Sequence, residues 1–411
     1  MAAAYAQLIR EAPDDFRIHT SLFTDPAIFE EEMRRIFEKT WVYVAHESEI
    51  PTAGDYRTTY IGKQPVIVSR DDEGNIHVLL NICRHRGNLV CRDERGSAGT
   101  FRCNYHGWVY KNSGELAGIS HPQGYPESVG RDLSGLLPAA RVATYRGLIF
   151  ASLSDQVPSL EEHLGAVRPY VDLWADLSPV GEVRAHRPHS FAYEGNWKFQ
   201  MENGADGYHP RFVHECAFQT MAHFLSRPVR DSSGMQDIGA IRGFPGGHSI
   251  LERPGMVGID PSLFREYTDL LAEQHGIERT QRIIAGYNIL IFPNVYLMDS
   301  NIRVIQPIRL DETVVHSHYT ELCGIPDYVN VARLKDVQWR LGTTGLIGTD
   351  DMEIFAAAQS AMQASAMPWL RLSRAMDSEV IEPSGERRAD INAESSQRAM
   401  YREWLRLMSA S

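Results

Sequence analysis

Two short stretches decide the reading of this chain: Cys83-Arg84-His85-Arg86-Gly87 and Cys103-Asn104-Tyr105-His106-Gly107-Trp108. Each offers one thiolate and one imidazole, with seventeen residues between His85 and Cys103. Two cysteines and two histidines suit tetrahedral zinc. They equally suit a [2Fe–2S] cluster with Cys83 and Cys103 on one iron and His85 and His106 on the other. Zinc fingers usually combine C-x-x-C with closely spaced histidines, which Cys-x-His and Cys-x-x-His do not reproduce. Gly87 and Gly107 stand beside the ligand pairs, as expected where two loops close tightly over a cluster. The pairs also end strand-like runs, IHVLLNI and TFR.

The surrounding sequence is β-rich from Trp41 to about Leu153, with turn signals such as Asp72-Glu73-Gly74-Asn75 and Asn112-Ser113-Gly114. Before it, AIFEEEMRRIFEK at 27–39 spaces Ile28, Met33, Ile36 and Phe37 as an amphipathic helix after Asp25-Pro26. After Pro158 the pattern is mixed. Strand-like runs fall at 183–193, 285–298, 302–309 and 313–322, and helical runs at 197–208, 211–224, 326–341, 351–366 and 396–409. Helices and strands do not alternate, so an α+β fold with an antiparallel sheet is expected. The Gly-, Pro- and Ser-rich stretch 226–262 reads as a long loop or lid. Three regions result: an N-terminal helical segment, 1–41, packing on the last region; a β domain, 42–155; and a mixed domain, 156–411.

Composition narrows the function. The chain has 411 residues with 41 basic and 53 acidic side chains, a net charge of −12. That argues against nucleic acid as a partner, which needs a basic face. Five cysteines, an odd number, are no disulfide framework, so a reducing cytoplasmic setting is expected. The N-terminus lacks the apolar core of a signal peptide. No apolar run approaches the roughly 18–20 residues of a membrane span, so no membrane partner is expected. Sixteen histidines beside so few cysteines are the more telling count.

A second constellation lies at Glu202-Asn203-Gly204-Ala205-Asp206-Gly207-Tyr208-His209-Pro210-Arg211-Phe212-Val213-His214. Pro210 suits the first turn of a helix and not its interior. One helix should therefore end near His209 and another begin at Pro210, turning His214 back toward the same point. Asp206 precedes His209 by three residues, on the same helical face. A third, anionic ligand is needed, and Asp350-Asp351 supplies candidates at the start of a helix. Two histidines and one carboxylate leave open positions on Fe(II). An N-cap with a first-turn acid is the plainer reading of the same aspartates.

The motif C-R-H-R-G … C-x-Y-H-G-W resembles the Rieske [2Fe–2S] ferredoxin domain. The run Asn196-Trp197-Lys198, then E-N-x-x-D-x-Y-H-x(4)-H, then D-D-x-E, resembles the α subunit of Rieske non-haem iron aromatic-ring-hydroxylating oxygenases. The short E-N-x-x-D spacing resembles most the benzoate, toluate, anthranilate and salicylate group. This resemblance implies an all-β Rieske domain at 42–155 and a catalytic helix-grip domain at 156–411. It implies Cys83, His85, Cys103 and His106 as cluster ligands, with Tyr105 and Trp108 as shields. It implies His209, His214 and Asp351, rather than Asp350, as ligands of mononuclear Fe(II). Asp206 would be catalytic, linking His209 to a Rieske histidine, His106, across a trimer interface, and Glu202 and Asn203 would lie near the substrate pocket. The implied activity uses O2 and NAD(P)H electrons, delivered by a ferredoxin, an FAD or FMN reductase, or both. It cis-dihydroxylates a small aromatic substrate, foremost a substituted aromatic acid. Assembly would be α3β3 with a small β subunit, otherwise α3. Two alternatives remain at this point: a monooxygenase of salicylate-hydroxylase or O/N-demethylase type, and an electron-transfer protein without mononuclear iron. Cys91, Cys216 and Cys323 have no partner motif. Arg211, His248, His316 and His318 read as structural or surface residues.

Overall fold

The computed structural model describes residues 5–126, 135–224, 239–253, 261–364 and 366–410. The chain separates into two compact units, Phe37–Leu160 and the combination of Met1–Ile36 with Glu161–Ser411. The sequence boundaries at 41/42 and 155/156 lie about five residues inside these limits.

The unit Phe37–Leu160 is built from short antiparallel strands. One sheet is formed by β1 (Asp55–Ile61), β2 (Gln64–Arg70), β3 (Ile76–Leu80) and β4 (Arg95–Ser97), in the order β3-β2-β1-β4. A second contains β5 (Thr100–Arg102), β6 (Val109–Lys111) and β7 (Leu116–Gly118), in the order β7-β6-β5. Strands Val42–His46, Arg141–Tyr145 and Leu148–Ser152 form the third. Apolar side chains Tyr56, Ile67, Leu79, Val90, Phe101, Trp108 and Tyr110 form one buried cluster, which also takes in Cys83 and Cys103. The two thiols thus sit where strand ends meet the hydrophobic core.

The other unit is dominated by one antiparallel sheet. Its strands are β8 (Val183–Ala185), β9 (His189–Tyr193), β10 (Ala240–Gly243), β11 (Ser249–Glu252), β12 (Tyr287–Ile291), β13 (Val295–Leu297), β14 (Asn301–Arg309), β15 (Glu312–Leu322), β16 (Val380–Ile381) and β17 (Arg387–Asp390). Their order is β8-β15-β14-β13-β12-β11-β10-β17-β16, with β9 also pairing β15. The α+β architecture with an antiparallel sheet therefore stands. The helices that matter are α1 (Pro26–Glu32), α2 (Trp197–Gly204), α3 (Pro210–Val213), α4 (Glu215–Phe224), α5 (Asp327–Leu341), α6 (Gly348–Ala361) and α7 (Ser395–Ser409).

Several expectations need correction. The N-terminal segment is not purely helical: Ile9–Ala12 and Asp15–His19 form a hairpin, which Trp369–Arg371 extends to three strands. The run 285–298 is two strands, because Pro293 lacks the N–H a ladder needs. The expected loop 226–262 contains a hairpin, β10 and β11, in the middle of the large sheet. Its turn residues Pro245, Gly246 and Gly247 masked the short apolar strands around them. Residues 226–238 and 254–260 of that stretch lie outside the described residues.

The sheet carries α2 and α6 on one face. Leu290, on β12, lies where a Cβ at Gly204 would meet it at 3.0 Å, so the glycine lets α2 approach closely. Asn288 reinforces this contact by donating to the Gly204 carbonyl at 3.1 Å. At the other end, Tyr193 on β9 packs against Phe355 of α6, ring centroids 5.0 Å apart.

One carboxylate ties three distant helices together. Glu32, at the end of α1, is fully buried. It accepts from Lys198 Nζ at 2.7 Å, Trp197 Nε1 at 2.9 Å and Trp404 Nε1 at 2.7 Å. Burial lowers the Lys198 pKa, and the Glu32 charge opposes that shift. Removing one member of such a buried pair strands the other, at about 3–5 kcal/mol. Glu32→Leu should therefore lower stability by that amount in a denaturant titration. The double replacement Glu32→Gln with Lys198→Met should recover more than half of the loss.

Candidate metal centres

Cys83 and Cys103 follow β3 and β5 and open two turns of the same design. In the first, Cys83 N donates to Asn88 O at 2.8 Å and Gly87 N to Cys83 O at 3.0 Å. In the second, Cys103 N donates to Trp108 O at 2.8 Å and Gly107 N to Cys103 O at 2.9 Å. The fifth residue of each is a glycine at positive φ, +72° and +73°. A Cβ at Gly107 would also meet Ser120 Oγ at 2.6 Å, whereas Gly87 faces open space and is required by its backbone angle alone. The histidine is third in one turn and fourth in the other.

The four side chains sort by type. The thiols are buried, and the Tyr105 backbone N–H and the Asn88 side chain lower the Cys103 pKa against the effect of burial. The rings of His85 and His106 stand 4.5 Å apart. His85 Nδ1 is buried without a hydrogen-bond partner, as befits a metal-facing nitrogen. A single zinc would draw ligand atoms to about 4 Å of one another. Among the described residues, these four supply no group of three within 4.8 Å. A thiol pair beside an imidazole pair fits a cluster with two irons. Trp108, 2% exposed, stacks on His85 at 5.1 Å. Tyr105, 54% exposed, covers His106 only from the solvent side. Tyr110, on β6, is a contact that no sequence motif marked: its hydroxyl lies 3.3 Å from Cys83 Sγ and accepts from Arg84 N at 3.1 Å. Asn88 Nδ2 donates to Cys103 Sγ at 3.6 Å.

The second constellation converges on a point. One imidazole nitrogen each from His209 and His214 and one oxygen of Asp351 lie within 4.8 Å of one another. Asp351 Oδ1 is 3.3 Å from His214 Nε2 and 3.7 Å from His209 Nε2. Asp350 instead approaches the opposite ring nitrogen, His214 Nδ1, at 3.5 Å. Burial opposes a charge on His214, but Asp351 and Asp350 together raise its pKa above the ordinary imidazole value. Two imidazoles and one carboxylate match the donor set of a non-haem iron.

Local structure here departs from expectation. The helix foreseen to end near His209 stops at Gly204. Asp206 and His209 therefore occupy a connection, not a common helical face. Asp206 Oδ1 accepts from Tyr208 N at 2.7 Å, an Asx turn that competes with the helix. A Cβ at Gly207 would meet Ile391 O at 2.3 Å. The second helix does begin at Pro210, with His209 at its N-cap and His214 at its C-cap. Asp206 Oδ2 still lies 3.3 Å from His209 Nδ1, behind the ring nitrogen that faces the triad.

Asn203 and Glu202, both expected near the substrate, have different surroundings. Asn203 Nδ2 donates to Asp351 Oδ1 at 3.2 Å and lies 3.1 Å from His209 Nε2. Glu202 is engaged by the Tyr401 hydroxyl of α7, and its backbone carbonyl accepts from Gln397. The remaining candidates are structural. His248 accepts from Phe292 N and lies 2.8 Å from His163 O. His316 lies 2.8 Å from Gln306 Oε1 and His318 3.0 Å from the His186 carbonyl. Arg211 lies over Phe212, and Cys216 is exposed. Cys91 is buried in the β unit, and Cys323 is half-buried.

Residues 40–142 match the Rieske [2Fe-2S] domain family, and residues 176–410 match the catalytic domain of ring-hydroxylating alpha subunits. The chain belongs to the family of ring-hydroxylating oxygenase α subunits. It is 37% identical to the toluate 1,2-dioxygenase α subunit of Pseudomonas putida, over 86% of this chain and 80% of that one. It is 34% identical to the anthranilate 1,2-dioxygenase large subunit of Acinetobacter baylyi, over 88% and 81%. The structure resembles naphthalene 1,2-dioxygenase from Rhodococcus sp. bound to indole, with TM-score 0.83, 28% identity, and 96% and 95% of the two chains covered. The chain is thus an oxidoreductase whose cofactors are a Rieske [2Fe–2S] cluster and a mononuclear iron. The electron-carrier alternative falls, since the second domain is catalytic and holds the triad. Among the described residues no helix is long and apolar enough to cross a membrane.

Glu202 carries a pH-dependent cost. Burial raises its pKa to about 7, against the Tyr401 hydrogen bond and the Lys198 charge. A carboxyl that holds its proton more tightly when folded costs nothing below the unfolded value near 4.5. The cost grows as pH rises and is complete above about 7, at up to roughly 3 kcal/mol. Glu202→Gln should match the parent's stability at pH 4.5 and exceed it at pH 8, read as the difference between paired unfolding curves.

Proposed function

We propose that this chain is the terminal oxygenase of a system that cis-dihydroxylates a substituted aromatic acid. Cys83, Cys103, His85 and His106 hold the cluster, and His209, His214 and Asp351 hold the iron. The observation that carries the reading is the convergence of His209, His214 and Asp351 beside Asn203, in a chain with toluate and anthranilate dioxygenase relatives. When bound, the cluster relays single electrons and the iron activates dioxygen, with both oxygen atoms entering the ring.

The chain's own groups do the rest. Neutral imidazoles in place of two thiolates leave less negative charge around the cluster, which favours its reduction. The Tyr110 hydroxyl and the Asn88 amide at the two sulfurs act in the same direction. Asn203 holds the Asp351 carboxylate by one oxygen and keeps it aimed at the two histidines. Asp206 orients the His209 ring from behind. In our reading its free edge meets His106 of a neighbouring copy in an α3 or α3β3 assembly, joining the two metal centres. NADH electrons arrive through a flavin reductase, directly or by way of a ferredoxin, in the cytoplasm.

Two measurements test this reading. Benzoate and its methyl and amino derivatives, incubated with the oxygenase, its reductase and ¹⁸O₂, should give a product carrying both labelled atoms. A single labelled atom would make the enzyme a monohydroxylase. Asp206→Ala should retain about three irons per chain and the visible spectrum of the cluster, yet lose nearly all single-turnover product. Normal product yield would remove Asp206 from the electron route.

A further inference from the structure

Arg303 is the third residue of β14 and is only 4% exposed. Its place on the sheet follows from strand register. Arg303 pairs with Tyr296 of β13, which pairs with Leu290 of β12. On its other side Arg303 pairs with Ser317 of β15, which pairs with His189 of β9. Directly paired residues of antiparallel strands share a face. Arg303 therefore faces the same side as Leu290, against which α2 packs at Gly204. Phe191 and Tyr193 alternate onto that side with His189, and Tyr193 packs on Phe355 of α6. Asn203 belongs to α2, and Asp351 lies one helical turn before Phe355 on α6. Arg303 is thus on the strip of sheet that faces the metal triad, between the seats of its two supporting helices.

The guanidinium is not satisfied there. Its Nε and Nη2 are buried and have no hydrogen-bond partner among the described residues. The Phe191 ring centroid lies 5.9 Å from Cζ, a cation–π contact too weak to replace an anion. Burial lowers the Arg303 pKa, and Arg340 adds to this, while Tyr296 and Asp351 act in the other direction. Asp351 is thus close enough to influence Arg303 electrostatically, but its Oδ1 is already turned to Asn203 and the two histidines. An unpaired buried charge costs several kcal/mol. Nε–H and one Nη–H form the edge of the guanidinium fork that takes a carboxylate in two parallel hydrogen bonds.

We propose that Arg303 anchors the carboxylate of the aromatic acid, through Nε and Nη2, and so holds the ring against the metal triad. This rests on the oxygenase reading above and adds to it the residue that selects the aromatic acid. The structural signal is a cation on a strand segment buried on both faces, whose Nε and Nη2 are buried and have no hydrogen-bond partner among the described residues.

The test compares benzoate with benzamide, its neutral isostere, by calorimetric titration of the iron-loaded oxygenase under argon. The parent enzyme should bind benzoate at least about tenfold more tightly than benzamide. Arg303→Met should weaken benzoate about thirtyfold or more, leave benzamide within about threefold, and raise KM for benzoate more than it lowers kcat. Arg303→Lys, which keeps the charge but not the fork, should fall between. Iron content and the cluster spectrum should not change in either variant. Equal affinity of the parent for both ligands would overturn the proposal, as would an unchanged preference in Arg303→Met. If the parent oxidises toluene but ignores benzoate, ring oxygenation stands, and the aromatic-acid substrate and the anchor fall. If benzoate binds through Arg303 but no arene is oxidised, the anchor stands and the oxygenase reading falls.

Discussion

The buried carboxylate of Glu32 is the constraint on which the catalytic unit depends. It takes hydrogen bonds from Lys198 and Trp197 at the start of α2 and from Trp404 of α7. A charge at zero exposure is tolerable only with several aligned donors, so the three helices have little freedom to shift. The consequence reaches the metal triad through α2. Its first turn is held by Glu32, its last residue rests on Leu290, and Asn203 between them grips Asp351. The position of Asp351 relative to the two histidines is thus tied to an acid at the far end of the sequence.

The two metal centres are built by opposite means. The Cys83 and Cys103 turns are local objects. Each closes on itself with two backbone hydrogen bonds and a left-handed glycine, and each delivers a thiol to the hydrophobic core at the end of a strand. The triad is assembled from a helix break and a distant helix start. Its geometry depends on where α2 ends, and the Asx turn at Asp206 and the close contact at Gly207 end it earlier than hydrophobic spacing implies. The early end frees Asp206 from a helical face and leaves its carboxylate directly behind His209.

Charge burial recurs as the means of organising this unit. Glu32 with Lys198, and Arg398 with Glu379 at 2.5 Å, are buried ions with partners from distant segments. Arg303 differs from them because no carboxylate of the described residues takes its Nε or Nη2. A fold that supplies partners for its other buried ions and leaves this one unpaired between the seats of α2 and α6 is arranged for an incoming anion.

The sequence by itself determined the donor types, the order of the two domains and, among the proposed ligands, the two cysteines and the four histidines. Those are properties of short spacings, C-x-H, C-x-x-H and H-P-x(3)-H, and short spacings act through local turns. It also foretold the antiparallel α+β class, since strand and helix periodicities are local too. It did not foretell the β10–β11 hairpin, whose Gly- and Pro-rich turn outweighed two four-residue strands. Nor did it separate Asn203 from Glu202, adjacent residues that a helix directs to different neighbours: one to the triad, the other to Tyr401. Tyr110 beside Cys83, Glu32 beneath α2 and Arg303 facing the triad were decided only by tertiary structure. Each depends on a contact between segments dozens to hundreds of residues apart, which no local pattern encodes.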